Sequence, residues 1–194
     1  MTLQRCGWCS DDPLYMAYHD LEWGRPVFAE AHLFEMFCLE GQQAGLSWIT
    51  VLKKREAYRQ HFFQYSIAEI AALSDDEITL KLQDAGLIRH AGKLTAIRDN
   101  AIAWQKLKDD EIDVVKWLWD FVAQQPISND VLDYRLAPAQ TTTSVAMSKA
   151  LKKKGFKFVG PTTCYAFMQA VGMVNDHENH CNFKTLTQVQ HTNP

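Results

Sequence analysis

Two pairs of soft metal ligands stand near opposite ends of the chain, Cys6 with His19 and His177 with Cys181. Two thiolates and two imidazoles make a closed tetrahedral zinc set, so an ion held there would be structural and would not activate water. His177 and Cys181 are four apart, and on a helical turn that spacing places both side chains on one face. Cys9 and His180 are rival ligands, the Cys6-Gly-Trp-Cys9 pair offers a second arrangement, and the same residue types also occur as unrelated buried thiols and surface histidines.

A second candidate is the carboxylate of Glu40. It continues a stripe set by Leu33, Met36 and Phe37, facing the core, close to a helix C-terminus where the dipole disfavours negative charge. An acid placed against both costs is a functional candidate, the plain alternative being a solvated side chain at a frayed helix end. Trp8, Tyr15, Tyr18, Trp23 and Trp48 lie near it in sequence. Aromatic residues mostly fill cores, but an electron-rich cage also suits a cationic purine through stacking and cation–π attraction. At Gly86 the pattern is helix, tight turn, helix. Exposed amides there, with Arg89 and Lys93 adding charge, suit a backbone phosphate, although the same turn also serves as an ordinary connection between packed helices. Lys149, Lys152, Lys153, Lys154 and Lys157 surround a helix end at Gly155, where they complement the dipole, with DNA contact as the secondary reading.

The elements that must position these groups are mainly helical. Asp11, Asp12 and Pro13 start a helix over 14–22, and the stripe through Glu40 makes a second helix from Glu30 to Gln43, broken at Gly45. Ser47 opens a third, to about Gln60. Ser66 with Glu69 and Ser74 with Glu77 are capping boxes for two short helices. The helix-hairpin-helix element spans about 76–104, followed by a helix over 114–122 and a loop-like stretch from Pro126 to Thr143. A basic helix begins at Ser144 and a last one runs from Pro161 to about Val174, with no convincing strand alternation anywhere. The 194 residues, 47% hydrophobic and 22% charged, suit one compact unit over 1–194 and exclude a disordered or fibrous chain. A net charge of -3 means that any nucleic-acid binding must come from a local basic face. Five cysteines argue against a complete disulfide framework, and neither a secretory core nor a run of about twenty apolar residues is present. A cytoplasmic protein without membrane contact is expected.

Several long stretches resemble the bacterial 3-methyladenine DNA glycosylase I family: 5–8 (RCGW), 13–20 (PLYMAYHD), 22–24 (EWG), 39–55 (LEGQQAGLSWITVLKKR), 83–86 (QDAG), 88–90 (IRH), 152–160 (KKKGFKFVG) and 174–177 (VNDH). The resemblance runs from Arg5 to Cys181; Cys9 departs from the family pattern, and the tail after Cys181 falls outside it. It implies a mainly α, helix-hairpin-helix DNA glycosylase-like fold. One structural zinc ion per chain would be held by Cys6, His19, His177 and Cys181, clasping segments 6–19 and 177–181. It further implies a base pocket formed by Glu40 with Trp8, Tyr15, Tyr18, Trp23 and Trp48, acting on double-stranded DNA that contains 3-methyladenine. Methylation at N3 makes the nucleoside cationic and weakens the glycosidic bond, so selection matters more than leaving-group activation. The flipped base is expected to stack on Trp48, with Glu40 accepting hydrogen bonds from its edge, Tyr18 adding a polar contact, and Gln43, Gly45 and Leu46 forming the wedge left in the duplex. Gly86, Arg89 and Lys93 complete the DNA-binding set. Asp109, Asp110 and Asp113 follow the hairpin where many of the superfamily carry a catalytic Asp, which this family lacks, and they are assigned no role. The expected product is an abasic site without strand cleavage, from a monomer. A non-enzymatic helix-hairpin-helix DNA-binding module is the alternative, and a zinc hydrolase is disfavoured by the closed four-ligand set.

Overall fold

The computed structural model describes residues 3–185. Most of the tail, from residue 186 on, lies outside the described residues.

Helix α1 (Pro13–Leu21) starts as its caps dictate, with the Asp12 carboxylate accepting from the Leu14 amide at 3.0 Å and Pro13 in the first turn. Helix α2 (Glu30–Gln42) is buried from Leu33 to Gln42 on every side, so the expected one-sided stripe is in fact a central helix. Around it pack α3 (Trp48–Leu52), α7 (Ala91–Asp109), α8 (Val114–Trp119) and α10 (Pro161–Ala170). Buried side chains from Cys6 to Phe183 join in one core cluster.

The single helix expected from Ser47 to Gln60 is broken. After α3 the chain turns at Lys53-Lys54, re-enters α4 (Arg55–Tyr58) and widens into a π-helical turn over Arg59–Phe63. Long-range contacts take precedence over the local helical pattern here. Lys54 Nζ donates to the Ala85 carbonyl at 2.5 Å, Arg55 pairs in two-pronged fashion with Glu22, and Tyr58 Oη donates to Gln42 Oε1 at 3.0 Å.

Both capping boxes form, opening α5 (Ile67–Ala71) and α6 (Asp75–Lys81). Helix α6, the turn at 82–90 and α7 (Ala91–Asp109) follow one another as helix, turn and helix, and the two helices touch. Helix α7 runs five residues past Trp104, because Leu107 is buried and Lys106 and Lys108 suit its last turn. Helix α9 (Thr142–Lys153) starts two residues before Ser144, since Thr141 is the cap and Ser144 its capping-box partner. Gly155 then stops it at φ +93°, inside the lysine cluster.

Two short strands interrupt the helical pattern. Ile127–Ser128 (β1) pairs in parallel with Val174–Asn175 (β2), so α10 ends at Ala170 and does not reach Val174. Between them Gly172 takes φ +70°, and a Cβ there would lie 2.2 Å from the Arg25 carbonyl carbon. The chain after α10 therefore crosses directly over the link between α1 and α2. Among the described residues, no helix is long and apolar enough to cross a membrane.

Candidate active site and metal centre

Residues from α1, α2, α3 and α10 converge with the chain near residues 8, 23, 43, 134–137 and 176 around a cavity of about 230 Å³. It is lined by Trp8, Tyr15, Tyr18, Trp23, Glu40, Gln43 and Trp48, and across from them by Tyr134, Ala137, Ala166, Gln169 and Asp176. All six residues expected at the pocket therefore share one cavity.

Helix α2 delivers Glu40 to it in its last turn, 4% exposed, with Oε2 buried and lacking a partner among the described residues. Burial alone pushes its carboxyl up from 4.5 to about 8. Trp48 Nε1 is likewise buried without a partner. An orphaned acceptor and an orphaned donor in a cavity of aromatic walls are costly features for folding, and both are satisfied by a polar ligand edge. Tyr18 packs on Trp48 with ring centroids 5.2 Å apart and planes at 44°, and its hydroxyl is held well above its usual range by burial and then by Glu40. Trp8 meets Tyr15 at 5.1 Å and Trp23 at 4.9 Å, the latter edge-on.

Behind this aromatic wall lies the thiol and imidazole group. Cys6, His19, His177 and Cys181 are all buried, and one donor atom from each falls within 4.8 Å of the others. The Cys6 and Cys181 sulfurs lie 3.4 and 3.5 Å from His177 Nδ1, and Cys181 Sγ lies 3.6 Å from His19 Nε2. The far nitrogen of each imidazole has its own acceptor, Asp20 Oδ1 at 2.8 Å for His19 and the Trp23 carbonyl at 3.1 Å for His177. Such partners fix the tautomer and turn the ligating nitrogen inward. The cluster is a candidate metal centre. His177 and Cys181 reach it through a turn, the Cys181 amide donating to the Glu178 carbonyl at 2.8 Å, and not through the helical turn that their spacing suggested. The rivals stay outside. Cys9 Sγ faces the Ser10 carbonyl at 3.5 Å, and His180 is half-exposed.

His19 and His177 also touch the pocket wall, His19 with Trp8 at 5.1 Å and His177 edge-on to Trp23 at 4.7 Å. Cluster and cavity are back to back.

Next to Glu40 the chain leaves α2 through Gln43, and Ala44 to Ser47 are exposed, with Gly45 at φ +77° and Leu46 41% exposed. The three residues expected as a wedge thus sit at the mouth, beside Thr162 and Thr163 of α10. At the hairpin, Arg89 is exposed, but Gly86 gives its amide to Asp84 Oδ1 at 2.6 Å. Lys93 corrects expectation. It is 6% exposed, and its ammonium donates to the carbonyls of Gln42 and Ala44 at 2.8 and 2.6 Å. It caps the end of α2 behind Glu40 instead of offering charge to a phosphate, because the hairpin packs against that helix end.

Tyr134, Gln169 and Asp176 were not singled out from the sequence. Asp176 is held by Asn129, Tyr165 and Gln169 at 2.6, 2.5 and 2.8 Å, partners up to 47 residues away. Its place directly before His177 was the one local hint.

The methyladenine glycosylase family model matches residues 8–185. The chain is 53% identical over 179 residues to DNA-3-methyladenine glycosylase 1 of Escherichia coli, covering 92% of this chain and 96% of that protein. It is 52% identical over 181 residues to DNA-3-methyladenine glycosylase of Haemophilus influenzae, covering 93% and 98%. Among solved structures, a crystal structure of 3-methyladenine DNA glycosylase I matches with a TM-score of 0.90 at 52% identity, over 92% of this chain and 98% of that one. A structure of the Staphylococcus aureus protein, addressing 3-methyladenine recognition, matches with a TM-score of 0.90 at 33% identity, over 95% and 98%.

Proposed function

Because the chain belongs to the methyladenine glycosylase family, we propose that it is a DNA repair enzyme that hydrolyses the N-glycosidic bond of 3-methyladenine in alkylated DNA. The observation that carries this reading is Glu40, a buried acid with an unpaired oxygen inside a cavity walled by aromatic rings.

The lesion is a cation whose glycosidic bond is already weakened, so the pocket's task is to admit it and refuse normal bases. Burial favours the protonated form of Glu40 at neutral pH. A cationic purine supplies the opposite charge that the site lacks, so its arrival favours the carboxylate, which accepts hydrogen bonds from the purine edge. Neutral adenine gives no such compensation. The rings of Trp48, Tyr18 and their neighbours offer stacking and cation–π attraction. Entry requires the base to be flipped from double-stranded DNA, with Gln43, Gly45 and Leu46 filling the gap and the hairpin at Gly86 and Arg89 resting on the backbone.

Zinc is the ion that the cluster suits. Bonds of about 2.3 Å to sulfur and about 2.0 Å to nitrogen set each S···N edge of a tetrahedron at about 3.5 Å, and the observed separations are 3.4, 3.5 and 3.6 Å. Cys6, His19, His177 and Cys181 would hold one ion per chain, closing the four-coordinate site, so its contribution is structural: it ties the two ends together behind Trp8 and Trp23. The reading is of a monomer, one folded unit, working in the cytoplasm.

The test is release of free base from methylated duplex DNA, resolved into 3-methyladenine and 7-methylguanine. Wild type should release 3-methyladenine selectively, and Glu40→Gln should lower that release while leaving fold and metal content intact. Undiminished release by the variant would remove Glu40 from the mechanism, and no release by wild type would overturn the reading.

A further inference from the structure

The pocket has two walls of different character. The first, from residues 8 to 48, is nearly all aromatic. The second is made of Ala137, Ala166, Gln169 and Asp176, with one large ring, that of Tyr134. This ring sits at the mouth, 39% exposed, in a stretch whose composition reads as loop.

Its position is nonetheless well determined. The Tyr134 amide donates to Glu178 Oε1 at 2.9 Å, and the other oxygen of that carboxylate accepts from the Gly7 amide. The ring lies against Gly7 so closely that a Cβ there would be 3.0 Å from Tyr134 Cε1. Upstream, the Asn129 amide donates to the Asn175 carbonyl at 3.1 Å, and Val131 exchanges bonds with Asn179 through its amide, 3.2 Å from Asn179 Oδ1, and its carbonyl, 2.8 Å from the Asn179 amide. The segment that carries Tyr134 is thus fastened along the strand and turn that also carry His177. A half-exposed ring held rigidly at the mouth of an aromatic cavity is a preorganised contact surface.

We propose that Tyr134 is a substrate-contacting, specificity-determining residue, whose ring closes the mouth over the flipped base from the second wall. Glu178 is its positioning residue. The inference rests on the glycosylase reading above and adds a contact on the wall that the first 48 residues do not supply. Because the other apolar side chains of that wall are Ala137 and Ala166, Tyr134 provides the bulk that narrows the mouth, so it helps to exclude purines whose alkyl group lies on a different edge.

The experiment measures binding of free 3-methyladenine to the full chain by tryptophan fluorescence, together with KM, kcat and the ratio of 3-methyladenine to 7-methylguanine released from methylated duplex DNA. Tyr134→Ala should weaken base binding about tenfold, the size of one lost stacking contact, raise KM in step, leave kcat within about twofold, and lower the release ratio. Tyr134→Phe should behave as wild type, and Tyr134→Leu, which keeps bulk without the aromatic face, should fall between. Melting temperature and metal content separate these effects from loss of fold. Wild-type binding, KM and release ratio in Tyr134→Ala would overturn the inference and leave the glycosylase reading standing. A wild-type protein that releases no 3-methyladenine would overturn both.

Discussion

Glu40→Gln should stabilise the protein in a pH-dependent way while it lowers activity. The sign follows from linkage. The folded carboxyl is raised to about 8 against its ordinary 4.5, so between those values the folded state holds a proton that the unfolded state has lost. Stability attributable to this residue is fully present below pH 4.5, falls as pH rises, and levels off above pH 8. With about 1.4 kcal/mol per pH unit, the loss accumulated by pH 7 is about 3 kcal/mol and approaches about 5 kcal/mol above pH 8. Glutamine does not titrate, so it escapes this loss, although its amide is also buried without partners and carries its own desolvation cost. The net gain at pH 7 should be about 1–2 kcal/mol, a rise in melting temperature of roughly 2–8 °C for a chain of this length. Denaturant unfolding of both proteins at half-unit steps from pH 5 to 8.5 is the assay. The difference between variant and wild type should grow steadily with pH. A difference that stays flat across that range would show that Glu40 titrates normally, and the account of how the pocket selects a cation would fall with it.

Cys181→Ala opens the four-ligand cluster and should cost bound metal and several kcal/mol of stability, read by metal analysis and thermal unfolding; a fully stable, metal-free variant would defeat the clasp. Lys93→Met should destabilise by about 2 kcal/mol, because two carbonyls at the end of α2 lose a charged donor. The same variant should keep the salt dependence of DNA binding, whereas loss of a phosphate contact would reduce the slope by about one. Gly172→Ala should fail to accumulate as folded protein, since its Cβ has no room against Arg25 and Pro26 and φ is +70°; expression of a soluble variant with near-wild-type melting would refute the close approach.

What the sequence disclosed depended on the range of the interactions. Caps are local, so Asp12, Ser66 with Glu69, and Ser74 with Glu77 were legible and form as written. Helix α2 was legible from its apolar density, although its burial on all sides was hidden, because periodicity reports one face and not what packs on the other. The break between α3 and α4 has neither Gly nor Pro to mark it and follows from partners 31 to 33 residues away. Lys93 misled for a related reason. A lysine beside a hairpin reads as surface charge, and only the approach of α2 shows that its ammonium turns inward. Spacing narrowed the candidates to cysteines and histidines but left Cys9 and His180 in contention, and family resemblance was needed to choose the four that cluster. Tyr134 and Asp176 carried no local signal of comparable strength, since both enter the pocket through chain crossings in a stretch that reads as loop and turn.

The adjacency of cluster and cavity gives a physical reason for joining the chain ends at this point. Trp8 belongs to an N-terminal segment that forms no helix of its own, and its neighbours Gln4 and Gly7 are fixed by Asn182 and Glu178 from the far end of the chain. Without that junction the segment would keep only its contacts with α1 and the turn after it, the Arg5–Asp20 pair and the packing of Trp8 on Tyr15 and Trp23. Ordering costs of about 1–2 kcal/mol per residue would then fall on the pocket whenever a base bound, and affinity would drop accordingly. A metal ion held by the Cys/His cluster would move that cost from binding to folding. The imidazoles that complete it also pack on Trp8 and Trp23. Metal retention and base affinity should therefore fail together when the cluster is broken, even though none of its four residues lines the cavity.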